Sequence, residues 1–411
     1  MTSRERVRLA LAHQEADRVP LDISGTLWTG IHMDEYCELA KAYSPASLPP
    51  RVFEQFQMLA RVDASMQDWL QGDVAIVENP VMTWGLHNED WKPWQTFRGN
   101  TVLMPGGYAP VDGGDGFLYL RDERGQNLAM MNKGGLYFER CCPVHMRDDF
   151  EPMDVKAFGA SLPVYTDEEL AFIRREAKAL YDSTELSVFG ACNRGQLSTY
   201  GLYANCTITD WLVLLMTEPE YTFDILATHA EKAVENFRLY LQAAGDYCDA
   251  VAVSGMDYGI QTSELFRPDI FRDQYMPNMK TINGFIHSHS KCKTFYHSCG
   301  SIRHILPYMI EGGVDIINPV QTSAAGMEPE QLKAEFGDKL VFWGGGADTQ
   351  HVLPDCTPEE VYAHVRERIR TFAPGGGFVF SPVHNLQYGV PPQNVAAMLR
   401  SLRDNGGYPV A

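Results

Sequence analysis

Thr294-Phe295-Tyr296-His297-Ser298-Cys299-Gly300 is a β-branched and aromatic run that stops at a glycine, so it reads as a strand feeding a loop. Side chains alternate across a strand, so residues two apart share a face. His297 and Cys299 therefore point an imidazole and a thiol to the same side, as two ligands of one metal ion would. Histidine and cysteine are also ordinary buried side chains, and this short spacing does not by itself choose between the two readings.

Working outward, similar runs recur at Val19–Ser24, Asp73–Val77, Glu185–Ala191, Asp249–Gly255, Lys293–Cys299, Asp315–Val320, Lys339–Gly345 and Gly377–Val383. Most are apolar at consecutive positions, as expected of parallel strands covered on both faces. Helical patterns lie between them, at Asp210–Ala244, Ile302–Glu311, Pro329–Phe336 and Thr357–Phe372. Eight strands, each followed by helical sequence, predict a single (β/α)8 barrel domain over residues 1–411. An open doubly wound sheet has the same alternation, so the count decides. From Trp84 to about residue 140 the rhythm breaks into Trp-, Gly-, Thr- and Tyr-rich sequence. Turn signals at Pro105-Gly106-Gly107 and Asp112-Gly113-Gly114-Asp115, with runs at Gly116–Leu120 and Gly135–Phe138, predict a β-rich insertion after the second strand. A substrate cover and a dimerisation element fit it equally well.

The 411 residues carry a net charge of −19, which argues against nucleic-acid and anionic membrane partners, since both reward basic patches. The N-terminal residues are charged rather than apolar, and the run Trp211–Met216 is too short to span a bilayer. Nine scattered cysteines, with Cys141-Cys142 the one adjacent pair, show no disulfide framework. A reducing, cytoplasmic setting is expected, and a homodimer is compatible with the fold class.

Barrel enzymes place their chemistry at the C-terminal ends of the strands. Those positions hold Ser24, Glu78-Asn79, Cys192-Asn193-Arg194, Asp257-Tyr258-Gly259 with Gln261, His297 and Cys299, Asn318 and Gln321, Asp348, and Ser381-Pro382-Val383-His384-Asn385. His384 is the third candidate ligand. His297, Cys299 and His384 with an open fourth position match a catalytic zinc site, and thiolate with imidazole suits zinc better than magnesium or calcium. Asp257 and Glu78 are the candidate acid/base carboxylates. Asn193, Tyr258, Gln261, Asn318 and Asp348 are candidate substrate contacts, with helix caps and structural hydrogen bonds as the alternative for each. His229, His287, His289 and His364 fall in helical patterns and are expected on the surface, and Cys292 lies at the wrong end of its strand.

His297-Ser298-Cys299-Gly300-Ser301, Gly313 through Gln321, Phe342 through Gln350 and Val383-His384-Asn385-Leu386-Gln387 resemble the uroporphyrinogen decarboxylase superfamily. So does the opening, Arg4-Glu5-Arg6-Val7 through Asp17-Arg18-Val19-Pro20-Leu21-Asp22. The resemblance covers most of residues 1–80 and 185–405 and implies a (β/α)8 barrel. The arginine-rich Arg-Gln-Ala-Gly-Arg-Tyr segment of the decarboxylase itself is missing. The resemblance is closer to the zinc-dependent methyltransferases that exchange a methyl group between a corrinoid protein and a thiol such as coenzyme M. Their zinc is held by a His-x-Cys pair and a later cysteine. His297 and Cys299 match the pair, whereas His384 stands at the later position. A methylated small molecule or thiol and a corrinoid, carried by a partner protein or supplied as co-substrate, are therefore the implied substrates. One imidazole in place of a thiolate makes the site more positive, which favours demethylation of a small methylated substrate. A decarboxylase or other lyase is the alternative; it needs an arginine clamp, for which Arg194 and Arg61 are the candidates.

Overall fold

In the computed structural model, which describes residues 1–141, 152–194 and 206–410, the apolar runs build one curled parallel sheet. Its strands are β1 (Val74–Val77), β2 (Ser187–Gly190), β3 (Ala250–Ser254), β4 (Lys293–His297), β5 (Ile316–Asn318), β6 (Val341–Trp343) and β7 (Phe378–Val379). They lie side by side in chain order, every neighbouring pair parallel. Each step therefore needs a crossover, and helices supply them. Asp167–Ser183 follows β1, Pro219–Ala244 follows β2, Met276–His289 follows β3 and Leu306–Glu311 follows β4. Pro329–Phe336, Pro358–Phe372 and Pro392–Asn405 follow the last three strands. The expected helix Asp210–Ala244 is two helices, Ile208–Thr217 and Pro219–Ala244, because Pro219 has no N–H to continue the first and starts the second at its first turn.

The expected first strand, Val19–Ser24, does not form as a regular strand. Pro20 brings no N–H to a ladder, and Ser24 turns to φ 68°, which ends the extended run. What remains are hydrogen bonds to both edges of the sheet. Phe380 N–H donates to Pro20 O at 2.8 Å and Asp22 N–H to Phe380 O at 2.8 Å. On the other side Asp73 N–H, just before β1, donates to Leu21 O at 2.7 Å.

Alternation sorts the strand side chains. Tyr296 faces outward, its hydroxyl donating to Asn283 Oδ1 at 3.0 Å on the helix Met276–His289. Phe295 faces inward, among buried Val74, Phe189, Ala252, Ile316, Trp343 and Val379. The N-terminal helix α1 (Ser3–Leu11) adds Val7, Ala10 and Leu11 to that inner core. It docks where strands begin: Arg4 N–H donates to Glu185 O at 2.7 Å, and Arg8 Nε pairs with Asp249 Oδ1 at 2.7 Å. With that end covered, the opposite end, where the strands finish, is left for the site.

Between β1 and β2 the chain makes antiparallel strands. Lys92–Gln95 pairs with Thr101–Met104, and Phe117–Arg121 pairs with Asn127–Asn132, which is flanked by Glu139–Arg140. Their buried Val102, Met104, Leu120, Ala129 and Met131 share a separate core with Met33 and Cys37 of the helix Met33–Tyr43 and with Val52 and Met58. Gly135–Phe138, expected as a strand, is a bend without strand pairing, and Phe138 serves as a fully buried core residue whose N–H donates to Phe56 O. His287 and His289 are exposed as expected, but His229 is buried and His364 is half-buried with Nε2 facing Asp348 N at 3.4 Å. Cys142 lies outside the described residues.

Candidate metal centre

His297 is the last residue of β4, and Cys299 follows two positions later in the loop. The two side chains face each other, with His297 Nε2 at 3.4 Å from Cys299 Sγ. His384, in the loop after β7, turns its ring toward His297 at 5.5 Å between centroids and 75° between planes. Ligand atoms of His297, Cys299 and His384 all lie within 4.8 Å of one another. Among the described residues this is the group whose donors could hold one metal ion.

The donor chemistry fits zinc. Zn–N near 2.0 Å and Zn–S near 2.3 Å at tetrahedral angles put neighbouring N and S ligands about 3.5 Å apart, which the His297–Cys299 contact matches. Both imidazoles are held neutral, as ligation requires: burial pushes His297 down, and burial with His297 alongside pushes His384 down to about 4. Burial, and then Asp257, push the Cys299 thiol well up, a cost that a divalent cation in contact with the sulfur removes.

The surrounding residues set this geometry. Asn318 Oδ1 lies 2.6 Å from His297 Nδ1, and Asn318 Nδ2 donates to the Trp343 carbonyl at 2.7 Å. Asp257 Oδ1 accepts the Cys299 N–H at 2.7 Å and lies 3.6 Å from His297 Nε2. Gly300 N–H donates to Gln321 Oε1 at 2.7 Å, and Gln321 Nε2 in turn reaches Gln261 Oε1. Trp28 stacks on His297 at 5.1 Å and 13°, and on Phe295 at 5.5 Å.

Of the residues singled out in the sequence, His297, Cys299, His384, Asp257, Asn318 and Gln261 are thus linked around one point. Others are placed differently. Glu78 is buried and pairs with Arg61, Nε to Oε1 at 3.1 Å; burial raises its carboxyl. Asn193 accepts from the Tyr165 hydroxyl at 2.9 Å. Tyr258 is fully buried in an aromatic cluster with Phe266, Phe271 and Tyr275. Asp348 caps its own turn, accepting from Gln350 N at 2.7 Å and His351 N at 3.0 Å. The arginines proposed for a carboxylate clamp are engaged as well: Arg61 with Glu78, and Arg194 with Glu169, Nε to Oε2 at 3.1 Å. Sequence reasoning missed Trp28, and Asp22, whose Oδ2 accepts from Trp343 Nε1 at 2.7 Å. Both sit in or just beyond the run read as strand one, so the rim list could have been extended to them.

Residues 162–404 match the family model described as uroporphyrinogen decarboxylase (URO-D). The chain belongs to the URO-D family. A curated relative is the methylated-thiol–coenzyme M methyltransferase of Methanosarcina mazei, 23% identical over 179 residues. That stretch is 41% of this chain and 45% of the relative, so it spans under half the relative's length. Among solved structures, a methyltransferase from Methanosarcina mazei superposes with a TM-score of 0.58 at 15% identity, over 98% of this chain and 99% of that one. At that identity the likeness establishes the α/β fold with its curled parallel sheet. Both of these similar proteins are methyltransferases. No helix among the described residues is long and apolar enough to cross a membrane.

Proposed function

We propose that this URO-D family protein is a zinc-dependent methyltransferase that moves a methyl group between a small methylated substrate or thiol and a corrinoid. The corrinoid is carried by a partner protein or is a free co-substrate, and the reaction takes place in the cytoplasm. The observation that carries this reading is the convergence of His297, Cys299 and His384 donor atoms within 4.8 Å at the ends of the strands. The kinship with methyltransferases supports it. In the same reading the chain is one (β/α)8 barrel over residues 1–411, with the contacts of Pro20, Leu21 and Asp22 standing in for the expected first strand. Residues 84–140 are then an insertion after the second strand.

A zinc ion held by these three residues would supply Lewis acidity and lower the pKa of a thiol in its open position. The protein's own groups hold the reacting partners. His297 presents Nε2 because its Nδ1 is tied to Asn318. Asp257, through the Cys299 N–H, fixes the loop that carries the thiol, and its carboxylate, 3.6 Å from His297 Nε2, is placed for proton transfer. Trp28, stacked on His297, keeps water off one face of that ring. Two imidazoles and one thiolate give the donor set a single negative charge, and a weakly anionic set favours demethylation of the substrate over activation of a thiol.

Metal analysis of untagged protein tests the reading. The expected result is about one zinc per chain, lost in His297→Ala, Cys299→Ala and His384→Ala, with methylcobalamin formed or consumed by the wild type in the presence of a methylated donor or a thiol. Metal-free wild type, or variants that keep their zinc, would sink it.

A further inference from the structure

A line of hydrogen bonds runs from the inner core to the metal centre. Asp22 Oδ2 accepts from Trp343 Nε1 at 2.7 Å. The Trp343 carbonyl accepts from Asn318 Nδ2 at 2.7 Å. Asn318 Oδ1 meets His297 Nδ1 at 2.6 Å. Asp22, Asn318 and Trp343 are each at most 1% exposed, so water does not compete for these groups.

Each link admits one direction. An indole Nε1–H only donates, and a backbone carbonyl only accepts. The Trp343 carbonyl therefore demands the NH2 side of Asn318, which turns Oδ1 toward His297. An oxygen facing a neutral imidazole nitrogen requires the proton on that nitrogen, Nδ1. The lone pair is then left on Nε2, the atom 3.4 Å from Cys299 Sγ. Asp22 completes the line by anchoring the Trp343 indole, and its other oxygen accepts from Gly25 N at 2.8 Å, so the carboxylate is itself fixed.

We propose that Asn318 and Asp22 are positioning residues that set the tautomer of His297, and through it the affinity of the metal centre. Asn318 thereby leaves the set of substrate contacts. The affinity part rests on the zinc reading above; the tautomer part does not. Outer partners of a metal-ligating histidine typically change metal affinity by roughly 10–100-fold when removed.

The test uses full-length protein with 15N-labelled histidine, the His297 ring being assigned by its absence in His297→Gln. Metal-free wild type is expected to show one tautomer, protonated at Nδ1, and zinc affinity is read by competition with a chelator. Asn318→Leu removes the acceptor and should give mixed tautomers and roughly 10–100-fold weaker zinc binding. Asn318→Asp keeps an acceptor for His297 and should keep the Nδ1–H tautomer, a split that general damage to the core would not produce. Asp22→Asn keeps an oxygen for the indole, although its NH2 then faces the Gly25 N–H, and should keep the Nδ1–H tautomer, whereas Asp22→Leu should follow Asn318→Leu. A wild-type tautomer and affinity in Asn318→Leu overturns the proposal, and wild-type behaviour of Asp22→Leu removes Asp22 from it. A wild type that binds no zinc fails the metal reading, and the tautomer measurement then decides this proposal alone.

Discussion

At Gly300 the loop after β4 passes against another backbone. A Cβ added there would lie 2.4 Å from Gly259 C and 2.6 Å from Gly259 O, and φ is 87°. Backbone cannot yield as a side chain can, so the residue after Cys299 must be glycine. Gly300→Ala should cost more than about 1 kcal/mol of stability and displace the Cys299 sulfur. A lower urea midpoint together with substoichiometric zinc checks this; unchanged values for both would show that the loop has slack. At this scale the sequence was informative where local spacing holds the chemistry. The spacing of His297 and Cys299 was read as strand alternation; the two side chains do meet, although the strand ends at His297 and Cys299 lies in the loop after it. Position alone could have put Trp28 and Asp22 on the rim list, but their roles and that of Asn318 were not legible, because these lie in contacts between segments far apart in the chain.

Among the elements, the helix Met33–Tyr43 holds the loop that carries His384. Its Glu35, 1% exposed, accepts from Gly389 N at 3.2 Å through Oε2, while Oε1 is buried without a hydrogen-bond partner. Burial, with Glu38 adding repulsion and the Gly389 and Val390 N–H groups opposing, pushes this carboxyl up to about 8. A folded-state value above the unfolded one means the native state holds the proton longer. Stability from this group is complete below about 4.5 and is lost as pH rises toward about 8. The loss is up to about 1.4 kcal/mol per pH unit across that window. Glu35→Gln should flatten the profile, measured as the difference in unfolding free energy between about pH 5 and about pH 9; equal differences in both proteins would exclude Glu35 as its source. The elements themselves were legible to differing degrees. Seven apolar runs became strands because burial on both faces demands such sequence. Val19–Ser24 carries the same composition, but Pro20 and the left-handed Ser24 override it. Gly135–Phe138 misled because Phe138 is apolar for a core formed with distant Met33 and Val52, not for a strand.

Over the whole molecule, one buried carboxylate joins the N-terminal segment to the sheet. Asp73, immediately before β1, is fully buried and receives two guanidiniums. Arg6 Nη1 of α1 lies 2.6 Å from its Oδ1, and Arg18 Nη1 lies 2.7 Å from its Oδ2. That second oxygen also accepts the Leu21 N–H at 2.8 Å, and the Asp73 N–H donates to Leu21 O. Asp73 therefore fastens three things at once: the helix that covers the end where strands start, the segment joining the two sheet edges, and β1. The alternation of apolar runs predicted the sheet, but a charge at the edge of a strand reads as a boundary until its partners are seen. Burying an ion pair is seldom worth much against an apolar replacement, yet removing one partner leaves the other stranded. Asp73→Ala would leave Arg6, whose side chain is 8% exposed, with Asp17 at the surface as its remaining carboxylate. The expected cost is about 3–5 kcal/mol, read from urea unfolding. Loosening should appear first in amide exchange of α1 and of Val19–Ser24, and only later in β4 and β5, which lie three and four strands along the sheet from β1. Uniform loss of protection across the sheet, or a cost below about 1 kcal/mol, would show that α1 is held by its apolar face, through Val7, Ala10 and Leu11, rather than by this carboxylate.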